Sequence, residues 1–231
     1  MMKLLKKTIS VLIVVMLIFI SSVYFSSIIG IKASKKNGIT IVLDAGHGAR
    51  DGGSLGVNGT REKDINLEYV LCLKEVLQNA GYSVVLTREN DNPLYGEFAK
   101  NKKISDMNKR MEIIKRANPS LVVSLHMNSF KDSSVKGASC YYKVDDDASY
   151  KCANLIQKSL NKYCYAKVKE AKGGDFFMLN CSYYTSVLVE CGYLSNPEEE
   201  RMLNTQAYKE KIVNSIYAGI LLYFGNDSIK N

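Results

Sequence analysis

The chain contains only two histidines, His47 and His126, among its 231 residues. Each closes an apolar run, "IVLDAGH" (41–47) and "VVSLH" (122–126). In α/β proteins, side chains beyond the carboxyl ends of strands form the sites, so two such histidines are expected to meet above one edge of a sheet. Two neutral imidazoles and one carboxylate make a frequent zinc set, with a fourth position left for water. Asp44, Asp51, Glu62, Asp64 and Glu190 are all candidates for the carboxylate, and spacing does not choose among them. Glu62 closes a loop that contains Gly48, Gly52, Gly53, Gly56 and Gly59, and glycines permit the tight backbone needed to fold it back over His47. Glu190 stands inside the apolar run "SVLVEC", where a buried acid is costly without a purpose. That purpose is either a salt bridge to Arg88 or Lys172, or service as a general base for a water at the metal.

Other chemistries fit less well. The glycine loop matches neither G-x-x-x-x-G-K-[ST] nor a G-x-G-x-x-G that opens a helix, so it is not read as a phosphate cradle. Cys191 adjoins Glu190 but has no evident histidine partner for nucleophilic catalysis. No C-x-x-C pair occurs, which argues against a thiolate zinc knuckle. The residue types alone therefore point to an exported zinc hydrolase.

These side chains need a scaffold. Short β-branched runs alternate with helical ones, which predicts an α/β fold. The expected architecture is one domain with a twisted, mostly parallel or mixed sheet of five to six strands flanked by helices. Strands are expected at 39–44, 82–87, 121–126, 137–143 and 186–191. Helices are expected at 64–80 with Asp64 as N-cap, at 103–118, at 147–163, from Pro197, and at 206–224. In the first helix, Leu67, Val70, Leu71, Lys74 and Leu77 are expected to form the inward face. The segment 166–181, with Gly173-Gly174, reads as loop.

The net charge is +8, yet residues 1–36 hold six of the 31 basic residues and no acid. The remainder, 25 basic against 23 acidic, is nearly balanced and carries no basic stripe, so nucleic acid is not an expected partner. The basic N-terminus precedes 24 uncharged residues, 8–31, long enough as a helix of about 1.5 Å per residue to cross a bilayer core. Positive residues ahead of it stay in the cytoplasm, so the rest is exported. The segment is a signal peptide or a signal anchor, and Ile31 and Ala33 match a cleavage site poorly, which favours a retained membrane anchor. The domain plan is therefore 1–36 as signal segment and polar joint, 37–226 as catalytic domain, and 227–231 as tail. The six cysteines (Cys72, Cys140, Cys152, Cys164, Cys181, Cys191) are expected to be mostly buried thiols.

Four segments in order, "LDAGHGARDGG", "REKDINL", "SLHMNS" and "VLVECGYLSN", resemble the zinc-dependent N-acetylmuramoyl-L-alanine amidases of the amidase-3 family. The similarity runs from residue 39 to about residue 224. It implies one zinc ion held by His47, Glu62 and His126, with Glu190 as the catalytic residue. The implied reaction hydrolyses the amide between the lactyl group of N-acetylmuramic acid and L-alanine in peptidoglycan. One position departs from the family pattern: Ala49 stands where a further glycine is common. The layout is similar to the sporulation- and germination-specific group of that family, which implies a role in the spore cortex (muramic-δ-lactam formation) and a place between the forespore membranes. The competing readings are another exported zinc peptidase, such as a carboxypeptidase, and a non-catalytic wall-binding protein. With no separate binding module, an accessory activating protein is a further expected partner.

Overall fold

The computed structural model describes residues 38–164, 168–180 and 183–227. The expected N-terminal membrane segment, Cys181 and residues 228–231 of the tail lie outside the described residues. Among the described residues, no helix is long and apolar enough to cross a membrane.

The elements run β1 (Thr40–Ala45), α1 (Glu62–Asn79), β2 (Ser83–Leu86), α2 (Lys102–Ala117), β3 (Leu121–Asn128), β4 (Ser139–Tyr142), α3 (Asp147–Cys164), β5 (Lys172–Gly173), α4 (Phe177–Asn180), β6 (Ser186–Tyr193), α5 (Pro197–Leu203) and α6 (Gln206–Asp227). The strands form one mixed sheet in the order β2-β1-β3-β6-β4-β5. β2, β1, β3 and β6 are parallel, β4 pairs antiparallel with β6, and β5 pairs parallel with β4.

Alternation along the strands divides the core. Ile41, Leu43 and Ala45 of β1, Leu121, Val123, Leu125 and Met127 of β3, and Val187, Val189 and Cys191 of β6 point to the larger core under α1, α3 and α6. The intervening Val42 and Val122 point to a smaller core with Met111 and Ile114 of α2 and Met178 of α4. By the same parity Asp44, Ser124, His126 and Glu190 belong to the α2 face. One apolar pattern thus sets both the core and the side on which the polar residues emerge.

The chain leaves β1 through α1 to β2 on one side, then returns through α2 to β3 on the other. β1 and β3 therefore flank the topological switch point, where a crevice opens beyond the carboxyl ends of the strands. His47 follows the first of these strands and His126 sits near the end of the second.

Three expectations are corrected. First, α1 begins at Glu62 rather than near Asp64, and Arg61 occupies the N-cap without a side-chain cap bond. The loop backbone supplies the partners instead, since the Glu62 N–H donates to Ser54 O at 3.0 Å and the Lys63 N–H to Gly52 O at 3.2 Å. Asp64 pairs with Arg61 at 2.6 Å on the surface. Second, the inward face of α1 is Ile65, Tyr69, Val70, Leu73 and Leu77, while Leu71 is exposed. Third, the segment read as loop contributes β5 and the single turn α4. Two residues of strand and four of helix are too short to leave a periodic pattern. Among the described residues, Cys72, Cys140, Cys152, Cys164 and Cys191 form no disulfide with one another. Burial pushes the thiols of Cys140, Cys152 and Cys191 well up from their ordinary pKa, so they act as packing residues.

Candidate active site

The turn after β1 is under backbone constraint. His47 (φ 62°) and Ala49 (φ 52°) are both left-handed, which costs an L-residue about 1–2 kcal/mol. Buried cations hold the turn by its carbonyls. Arg88 donates through Nε to Ala45 O at 2.8 Å and through Nη2 to Gly46 O at 3.0 Å and Lys63 O at 2.7 Å. Arg110 donates to Ala45 O at 2.8 Å and to the His47 carbonyl. Lys63 Nζ donates to Ala49 O at 2.8 Å and pairs with Asp91 at 2.6 Å, and Asp91 accepts the Ala49 N–H at 2.7 Å. Surroundings of this kind over-determine a strained conformation and make it persist.

Asp44 anchors the same network from below. Its carboxylate accepts from Thr87 Oγ1 at 2.6 Å, Ser124 Oγ at 2.6 Å and Arg110 Nη1 at 2.7 Å. Burial alone would raise its pKa, but Arg110 and the two hydroxyls outweigh burial and bring it down to about 2. Asp44 is thus a structural anion, not a metal ligand.

Glu62 enters from the first turn of α1. Its Oε1 lies 3.1 Å from His47 Nε2 and 2.9 Å from His126 Nδ1. The two imidazoles stand edge to face, with centroids 4.9 Å apart. One ligand atom from each of His47, Glu62 and His126 lies within 4.8 Å of the other two, a set able to hold a metal ion. The other oxygen of Glu62 accepts the Ser54 N–H at 2.7 Å, and Oε1 also accepts the Met127 N–H at 3.3 Å. Burial would raise the Glu62 carboxyl, but its bonds with the histidines outweigh that and hold it far below the usual range. For His47, burial lowers the pKa while Glu62 and Asp51 more than compensate, so the net shift is upward. Asp51 Oδ1 sits 3.0 Å from His47 Nδ1, off the line of an N–H there, so the pair is a charge contact rather than an aligned hydrogen bond.

The glycines of the loop serve this packing. A Cβ on Gly46 would lie 2.2 Å from the His126 ring. At Gly53 (φ 66°) it would lie 2.6 Å from Glu62 Oε2 and 2.7 Å from the His47 ring. The expectation that glycines let Glu62 fold back over His47 holds in outcome. Their role is to leave room for the three side chains in a closely bonded loop.

Glu190 pairs in register with His126 across β3 and β6, which puts the two side chains on the same face. It is nine-tenths buried, and its Oε2 has no hydrogen-bond partner. Burial pushes its pKa up to about 7, and the Glu62 charge adds to this against the opposing pull of His126 and His47. Neither salt bridge considered for it forms, because the Arg88 guanidinium is committed to backbone carbonyls and Lys172 stands on the outermost strand. A cavity of about 400 Å³ opens beside His47 and His126 toward α2. Glu190, one strand further along, is not on its wall.

Of the sequence candidates, the structure brings His47, Glu62, His126 and Asp51 together, sets Glu190 beside His126, and turns Asp64 to the surface. Arg110, Lys63, Asn66 and Asp91 were not singled out from sequence. Of these, Asn66 and Lys63 had a signal, because they belong to "REKDINL" beside Glu62.

The model of a family described as N-acetylmuramoyl-L-alanine amidase matches residues 41–221. A germination-specific N-acetylmuramoyl-L-alanine amidase from Bacillus subtilis is 35% identical over 193 residues, covering 81% of each chain. Among solved structures, the CwlD amidase from Clostridioides difficile in complex with the GerS lipoprotein superposes with a TM-score of 0.78 at 39% identity, covering 81% of this chain and 98% of that one. The catalytic domain of the amidase CwlV from Bacillus (Paenibacillus) polymyxa gives a TM-score of 0.68 at 29% identity, covering 81% and 98%.

Proposed function

The chain belongs to the N-acetylmuramoyl-L-alanine amidase family, and we propose that it cleaves the lactyl–L-alanine amide of peptidoglycan with one zinc ion held by His47, Glu62 and His126 and with Glu190 as proton carrier. The observation that carries this reading is the convergence of two imidazole nitrogens and one carboxylate oxygen within 4.8 Å, beside an unpartnered buried carboxylate. Two nitrogens and one oxygen suit zinc and leave a position open.

When bound, zinc polarises the amide carbonyl and makes a water more acidic. Glu190, in its ionised form, takes a proton from the attacking water as the C–O bond forms. It then delivers that proton to the L-alanine nitrogen as the C–N bond breaks, leaving a lactyl carboxyl group and a free amine. Its burial keeps it basic enough for the first transfer. The charge of Asp51, beside His47 Nδ1, favours the tautomer with its proton on that nitrogen and leaves Nε2, which faces Glu62, free for the metal.

The cortex role rests on the germination-specific relative and on the CwlD likeness. The GerS complex of that CwlD amidase supports an accessory lipoprotein for this chain as well. Residues 1–36 serve as a signal or membrane anchor, residues 37–226 as the catalytic domain, and the enzyme works outside the cytoplasm, between the forespore membranes. Peptidoglycan digested with zinc-loaded enzyme should gain L-alanine amino termini and muramic acid residues lacking peptide. New free carboxyl termini within the peptides, with the lactyl amide intact, would contradict the amidase assignment.

A further inference from the structure

The cavity beside the histidines has an uneven charge. Asp44 and Asp106, on its wall, are both matched by Arg110, at 2.7 Å each. Asp51 lies 3.0 Å from His47 Nδ1, a neutral ring when it holds a metal, so Asp51 offsets one of the cavity's cations. Arg50, Lys102 and Lys103 line the same cavity, and none has a carboxylate within ion-pair distance among the described residues. Lys103 lies near enough to Asp51 to help lower its pKa, without pairing with it. Lys102 rests over the Tyr95 ring at 5.7 Å, which fixes its direction at the cavity mouth. Lys102 and Lys103 begin α2, where positive charge opposes the helix dipole. Three cations without an ion pair among the described residues, against Asp51 as the one acid not paired with an arginine, therefore line a cavity that opens onto the two imidazoles.

The two halves of the substrate differ in charge. On one side of the scissile amide is an N-acetylated, uncharged glycan, and on the other is a peptide with free carboxylates. We propose that this cavity is the stem-peptide subsite, and that Arg50, Lys102 and Lys103 select substrates whose peptide carboxylates are free rather than amidated. The inference rests on the amidase reading above. It places the peptide on the α2 side of His126 and leaves the β6 side, where Glu190 stands, to the proton transfers. Charge-assisted bonds to a carboxylate are about twice as strong as neutral ones, so losing one cation should cost about tenfold in affinity.

The test compares two muropeptides, one with free peptide carboxylates and one fully amidated, as substrates of the zinc-loaded full chain. The wild type should favour the free acid by about tenfold or more in kcat/KM, mainly through KM. In Arg50→Gln, Lys103→Gln and the double variant, that preference should fall stepwise toward one. A wild-type preference near one, or variants that weaken both substrates equally, would overturn the subsite. A second arm uses zinc-loaded Glu190→Gln and calorimetry with L-alanyl-D-glutamate, its amidated form and the lactyl amide of N-acetylmuramic acid, which is uncharged as in the substrate. Tighter binding of the free dipeptide, lost with Arg50→Gln, supports the subsite, whereas binding of the N-acetylmuramic acid amide that is lost with Arg50→Gln assigns the cations to the other half of the substrate and refutes it. Wild-type failure to cleave either muropeptide would count against the amidase reading, while the calorimetry still reads the cavity.

Discussion

Glu62 and Glu190 are two carboxylates beside one imidazole, His126, and their environments push their pKa values apart. Glu62 accepts from the backbone of Ser54 and Met127 and faces both histidines, so it is held as an anion at any ordinary pH. Glu190 has an unpartnered oxygen in an apolar strand, and burial lifts its pKa to about 7. A permanent anion suits a cation ligand, and a carboxyl that changes protonation near neutrality suits proton transfer. The difference comes from position. Glu62 starts a helix beneath a loop rich in N–H groups, whereas Glu190 lies inside the sheet, where neighbouring strands have already used the backbone donors.

The sharpest way to break this comparison is Glu190→Gln. Turnover should fall about 10²–10⁴-fold while zinc content stays near one per chain, as read by metal analysis beside a cleavage assay. Equal loss of zinc in this variant would erase the distinction between the two acids.

The same residue has a second effect, on stability. In the metal-free chain Glu190 is protonated folded and unfolded below pH 4.5, so its contribution there is nil. Above pH 4.5 the unfolded state releases the proton first, and stability falls until pH passes about 7. A rise from 4.5 to about 7 corresponds to about 3 kcal/mol. Metal-free Glu190→Gln should therefore be more stable than wild type by that order at pH 8 and equal to it at pH 4, in denaturant titrations. A gain of the same size at both pH values would refute the titration as its cause. In the holoenzyme the nearby cation favours the ionised form, so the acid limb of the activity profile should lie below pH 7.

Asp51 probes the supporting side of the metal set. Asp51→Asn keeps the shape and removes the charge beside His47, and zinc affinity should weaken about 10–100-fold. Competition with a chelator measures this, and unchanged affinity would remove Asp51 from the site. The smallest effect belongs to Ala49, left-handed at φ 52°, a conformation that glycine adopts without a Cβ penalty. Ala49→Gly should add about 1 kcal/mol of stability with no change in turnover, seen as a raised midpoint of unfolding.

Much of this was legible in the sequence, for reasons that can be located. The strand runs at 39–44, 121–126 and 186–191 are apolar on both faces, and the polar residue ending each one marks a site. Two histidines in such positions form a pair that composition alone makes conspicuous. Spacing leaves five carboxylates open; the glycine loop makes a return of Glu62 to His47 feasible, and only the family resemblance assigns it to the metal. The clamp on the turn was out of reach, because Arg110 meets the His47 carbonyl from 63 residues away. The early start of α1 was equally hidden, since its cap comes from the backbone of Gly52 and Ser54 and not from a side-chain signature. Glycine is permissive in any sequence. Only the His126 ring lying against Gly46 shows that the residue is there for space.

The central claim is that Glu62 holds the metal and Glu190 moves the proton. Its most direct test is zinc content measured on the same samples of Glu62→Gln and Glu190→Gln whose muropeptide products are resolved by mass spectrometry. The account predicts no zinc and no new L-alanine amino termini for the first, and about one zinc with no new amino termini for the second. Zinc-loaded Glu62→Gln, or wild-type release of L-alanine amino termini by Glu190→Gln, would contradict it.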